Sequence, residues 1–86
     1  MEIKQAIQLI VDMNILISEG AKKALENEDN LIQFVDEILE QYYETEGNKK
    51  TLTRVLGKEV IDCIIEYANE VNAKADFIVT NVYKTI

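Results

Sequence analysis

Apolar residues recur three and four positions apart through most of this 86-residue chain, with polar residues filling the gaps. That is the period of an α-helix lying with one face on a core. The pattern predicts a first helix from about Ile3 to Ile17, and an unusually rich one: nine of the twelve residues from Ala6 to Ile17 are apolar. At 100° per residue, Ile3, Ala6, Ile7, Leu9, Ile10, Val11, Met13, Leu16 and Ile17 cover roughly 220°, where a surface helix needs about 100°. Glu2 and Asn14 alone interrupt that arc, and Ile15 falls outside it among Lys4, Gln5, Gln8 and Asp12. One flank faces the domain's own core. The rest needs a second covering surface.

The chain has no Pro, and its three glycines (Gly20, Gly47, Gly57) lie between apolar-periodic segments. Glycine ends helices cheaply because it accepts positive φ, so all three read as helix boundaries. A short helix is predicted from about Gly20 to Glu26. Asn27 or Asp29 then offers a capping oxygen to a third helix, about Asn30 to Tyr43, which carries Leu31, Phe34, Val35, Ile38 and Tyr42 on one face. Glu44 to Asn48 reads as a polar turn, and Thr51 as the cap of a short helix stopped by Gly57. From Lys58 onward Val60, Ile64, Tyr67 or Ala68, Val71, Ala75, Ile78 and Val82 keep a helical register. Asn69 and Asn72, poor helix formers, mark a kink or a division into two helices. Phe77 to Tyr83 is rich in β-branched and aromatic residues. A lone strand has no partner here, so helix is favoured. The expected fold is all-α, a compact bundle of five to six short helices in one domain, residues 1–86.

Charge narrows the function. Nine basic residues against sixteen acidic ones leave a net charge of −7. Nucleic-acid binders need a basic footprint, and an anionic membrane surface would repel this chain. A basic protein partner is favoured, because opposite potentials steer encounter. There is no His, the commonest general base and metal ligand, and the single Cys permits neither an internal disulfide nor a thiolate zinc cluster. The chain reads as a non-enzyme without a cofactor or metal. The N-terminus lacks a basic leader and no run approaches the ~18–20 apolar residues of a membrane helix, so a cytoplasmic protein is expected.

Eight of the sixteen acids fall between Glu26 and Glu46, a stretch without Lys or Arg. Asp36, Glu40 and Glu44 repeat at i,i+4, which stacks like charges along one helix face at ~0.2–0.5 kcal/mol per pair. Two readings fit: a solvated outer face, or a complement to a basic partner. The first helix likewise reads either as a central helix wrapped by its neighbours or as a face for self-association or a partner helix. Glu26, Glu28, Asn30 and Glu37 match positions of a calcium loop, but Leu31 stands where that loop needs Gly. Cys63, in an apolar run, reads as a core thiol. Thr51 to Val71 weakly suggests a helix–turn–helix. Its basic patch of Lys49, Lys50, Arg54 and Lys58 is too small to read DNA alone, yet suits contact with a DNA-bound or acidic partner.

The stretch Ile15-Leu16-Ile17 … Leu25-Glu26-Asn27 … Asn30-Leu31-Ile32-Gln33-Phe34-Val35-Asp36-Glu37-Ile38 resembles the AsiA-type anti-sigma factors of T-even-like bacteriophages. The likeness needs no gap from Ile15 to Ile38. It is looser at Glu46-Gly47 and Ile65-Glu66-Tyr67-Ala68-Asn69-Glu70. The resemblance implies a small helical protein that binds region 4 of the host's primary sigma factor and blocks recognition of the −35 element. With a phage co-activator it redirects polymerase to middle promoters, and when free it is a homodimer through the same face. It implies contacts at Ile15, Leu16, Phe34 and Ile38, whereas Gln8, Asp12 and Ser18 differ in type from the family's residues. With the apolar arc (Ile7, Ile10, Val11) and the acidic stripe (Asp36, Glu37, Glu40), these form the expected partner-binding set, on residues 1–46. The first helix with Phe34 and Ile38 would pack into the sigma core while the acids pair with basic residues otherwise used on promoter DNA. The alternative is a small helical protein of the bacteriocin-immunity type, or another inhibitory binding protein.

Overall fold

In the computed structural model, which describes the backbone of residues 1–84 and the side chains of residues 1–71, five helices follow one another: α1 (Ile3–Met13), α2 (Ser18–Ala24), α3 (Glu28–Glu44), α4 (Glu46–Leu56) and α5 (Lys58–Lys84). The described residues hold no strand. The fold is an all-α bundle. Its packing is sequential and then closed: α1 lies on α2, α2 on α3, and α3 on α4, while α5 returns against α1, α3 and α4. Helices α3 and α5 therefore share the centre, each packed on three others, and the N-terminal half of α5 supplies Val60, Ile61, Cys63, Ile64 and Ala68 to the core. Helix α1, with two principal neighbours, is peripheral. Of its wide apolar arc, only Ala6, Ile7 and Ile10 are buried, and Leu9 stays 41% exposed.

The expected first helix ends four residues early. Asn14 adopts the left-handed conformation, φ 52° and ψ 49°, a state that Asn tolerates far better than a β-branched residue. Its N–H turns back to the Val11 carbonyl at 3.3 Å, so the Ile10 carbonyl loses its usual i+4 partner. Ser18 replaces it. The Ser18 hydroxyl donates to Ile10 O at 2.7 Å and accepts from the Ile15 N–H at 2.9 Å. The turn that results half-buries Ile15 and Ile17 and points Leu16 outward. Ser18 is the only buried polar residue among those described. Ser18→Ala orphans one donor and one acceptor in that turn, and is expected to lower the unfolding free energy by about 1–3 kcal/mol in a urea titration.

Two of the three glycines do not bound helices. Gly20 lies inside α2, where a Cβ would meet the Phe34 ring at 3.2 Å; with Ala21 and Ala24 it keeps α2 thin enough to sit between α1 and α3. Gly47 belongs to the first turn of α4. Gly57 behaves as expected, at φ 92°. It caps α4 through its N–H to Thr53 O at 2.9 Å, and its own carbonyl accepts from Ile61 at 3.1 Å as α5 begins.

The two corners flanking α3 share one device. Asn27 Oδ1 accepts from the Asn30 N–H at 2.8 Å, while Asn30 Nδ2 donates back to the Lys23 carbonyl at 3.2 Å. Thr45 Oγ1 accepts from the Asn48 N–H at 3.0 Å, while Asn48 Nδ2 donates to the Gln41 carbonyl at 2.9 Å. In each case a capping residue and an asparagine three positions later satisfy an orphan N–H of the next helix and a late carbonyl of the previous one. This corrects the expected α4. Its cap is Thr45 rather than Thr51, and the expected polar turn shrinks to that one extended residue. Helix α5 runs unbroken past Asn69 and Asn72 and through Phe77 to Tyr83, so neither a division nor a terminal strand occurs.

Candidate partner-binding surface

The structure divides the expected partner set into core and surface. Ile7 and Ile10 are wholly buried, and Phe34 and Ile38 are 7% and 4% exposed. These four face neighbouring helices instead of solvent, which corrects the expectation that they line an open face: a partner would reach them only by opening the bundle. Val11 and Ile15 are half-buried. Leu16 is 96% exposed. Asp36, Glu37 and Glu40 are exposed on α3, turned away from its buried stripe of Leu31, Phe34, Val35 and Ile38. The surface members are thus a single apolar tip and an acidic helix face.

The acidic face is not neutralised locally. Among the described residues the ion pairs are Lys22–Glu19 at 3.2 Å and Lys49–Glu46 at 3.6 Å, and none reaches Asp36, Glu37 or Glu40. Gln33 Nε2 donates to Glu37 at 3.3 Å, a contact between exposed neighbours one turn apart. Between α3 and α5 the face borders a groove of about 740 Å³. Asp36, Glu40 and Glu44 wall it, and Leu39, Ile65 and Ala68 lie within it. Tyr43, 58% exposed, stands in the same groove. Sequence reasoning found the acids and missed the groove, because its α5 side comes from residues more than 20 positions away. The adjacent Tyr42-Tyr43 pair, of which only one ring can join the inward stripe, was the available signal.

The basic patch has a partner of its own. Lys49 lies over the rings of Tyr42 and Tyr43, 5.9 and 5.4 Å from their centroids, and those rings meet edge to face at 5.0 Å. Lys50, Arg54 and Lys58 are exposed. A second cavity, about 490 Å³, lies where Met1 to Lys4 approach Cys63, Glu66, Tyr67 and Glu70. The Cys63 thiol donates to the Met1 carbonyl at 3.4 Å. Burial pushes that thiol above its ordinary value, Glu66 adds to the rise and the N-terminal amine opposes it. The folded thiol therefore holds its proton more tightly than the unfolded one. Its contribution to stability is present at neutral pH and lost as the pH rises through the folded value. Labelling by a thiol-disulfide reagent at pH 8 is expected to be much slower in the native chain than in urea. Burial, with Glu28 nearby, likewise raises the Tyr67 hydroxyl.

Leu31, at the calcium-loop position that needs glycine, is a core residue. Among the described residues no three acidic or cysteine side chains are grouped to hold a metal ion, and no helix is long and apolar enough to cross a membrane. No protein-family model, curated protein or solved structure matches this chain.

Proposed function

We propose that this protein is an anti-sigma factor of the AsiA type, acting in the cytoplasm of an infected bacterial host. It binds region 4 of the primary sigma factor, inhibits −35-dependent transcription, and works with a phage co-activator at middle promoters. The observation that carries the reading is Leu16: a leucine almost fully in water, at the tip of a turn pinned by two Ser18 hydrogen bonds. Burying such a side chain in a partner stabilises a complex by about 1.5–3 kcal/mol, while a polar residue there would serve the fold equally well. Leu16 also belongs to the Ile-Leu-Ile triplet on which the resemblance rests. Region 4 is a basic helical module, and Asp36, Glu37 and Glu40, without a cationic partner among the described residues, suit it in charge. When free, the chain pairs with a second copy through the Leu16 face.

Sedimentation of the chain with and without a region 4 fragment tests this. A one-to-one complex forming at the expense of a homodimer is expected. A monomer indifferent to region 4 from several hosts overturns the reading and leaves the immunity-type or another inhibitory role.

A further inference from the structure

We infer that the groove between α3 and α5 is a docking site for one cationic amphipathic helix of a partner protein. The inference takes from the anti-sigma reading only the class of partner, a basic helical protein, and does not require that protein to be sigma.

Three features of the groove specify the occupant. Its acidic wall is linear: Asp36, Glu40 and Glu44 stand at i,i+4 spacing, about 6 Å apart along α3. Lys or Arg residues at i, i+4 and i+8 of a second helix repeat at the same interval, so a helix laid along α3 meets all three carboxylates at once. None of the three is paired with a cation among the described residues. Next, the floor is apolar and shaped by a small residue. Half-buried Leu39 and Ile65 flank Ala68, whose short side chain leaves room for an apolar side chain from the occupant. Finally, Tyr43 offers a large, rigid, amphipathic surface beside the acids, the kind of residue enriched at protein interfaces.

This combination discriminates against other occupants. A nucleic acid or an anionic membrane would bring its phosphates to three carboxylates. A purely cationic loop would satisfy the wall and leave the floor wet. The chain's own basic helix, α4, is a poorer candidate, because Lys49 is already held by Glu46 and the tyrosine rings. An occupant that is basic on one stripe and apolar on the next satisfies both surfaces.

The test uses the full chain, isotopically labelled for NMR, and two synthetic helical peptides of identical composition. One carries Lys at i, i+4 and i+8 beside a Leu stripe; the other has the same residues scrambled. The patterned peptide is expected to bind at least about tenfold more tightly, to move the amides of residues 36–44 and 65–69, and to weaken as salt is added. Asp36→Lys with Glu40→Lys, both at exposed positions, is expected to weaken binding about 30-fold, and Tyr43→Ala about fivefold, with circular dichroism unchanged. Equal binding of the two peptides, or shifts confined to other surfaces, overturns the inference. So does a charge reversal that abolishes self-association of the chain while sparing the peptide, since the occupant is then a second copy. Peptide binding without region 4 binding defeats the sigma reading alone. Region 4 binding without pattern-specific peptide binding defeats the groove alone.

Discussion

Ile64→Ala is expected to lower the unfolding free energy by about 2–5 kcal/mol, the largest loss from any single truncation in the bundle. Ile64 has no exposed surface and sits on the half of α5 that packs against α1, α3 and α4. Removing its outer methyl and methylene groups forfeits their transfer from water and leaves a cavity that three helices must collapse around, each already held by its own corners. For a domain of this size the loss is a large part of the ~5–15 kcal/mol that separates folded from unfolded. Equilibrium urea unfolding followed by circular dichroism measures it. A loss under about 1 kcal/mol would mean that α5 is not at the centre of the core.

Leu16→Asp is expected to do the reverse: leave stability within about 0.5 kcal/mol of the parent and weaken region 4 binding about 30-fold or more, as loss of a central interface anchor does. The side chain makes little contact with its own fold, so the thermal transition has no reason to move. Calorimetric titration of a region 4 fragment, with the melting temperature recorded for the same sample, reads both quantities. Phe34→Asp is the instructive contrast. Phe34 is buried against Gly20 of α2, so loss of binding there would report unfolding, not a lost contact. If Leu16→Asp binds region 4 as the parent does, the exposed tip is not the interface.

The groove and the Leu16 tip were legible to different degrees. The i,i+4 repeat of Asp36, Glu40 and Glu44 is a local property of one helix, visible in the residue order alone. Ala68 and Ile65 join it only because α5 packs back across α3. Leu16 looked like one more member of an apolar arc. Its exposure follows from the left-handed turn at Asn14 and from a hydrogen bond between Ser18 and Ile10, eight residues apart. Hydrophobic periodicity carries neither signal. The corners at Asn27/Asn30 and Thr45/Asn48 were half legible: the capping oxygen of Asn27 was apparent, while the backward bond of each later asparagine depends on the angle between two helices.

The residue order by itself determined that this protein is all-α, that the apolar faces of the third helix and of the first half of the last one turn inward, that Gly57 separates two helices, and that acids crowd one helix face. Those are consequences of backbone sterics and of a 3.6-residue period, both of which act within a few residues. Tertiary packing decided which part of the first helix's wide arc is buried, that α3 and α5 and not α1 form the centre, and that Leu16 alone of the expected apolar contacts lies fully in water. Burial depends on which neighbours arrive on each side, and in a bundle closed by its last helix those neighbours come from the far end of the chain.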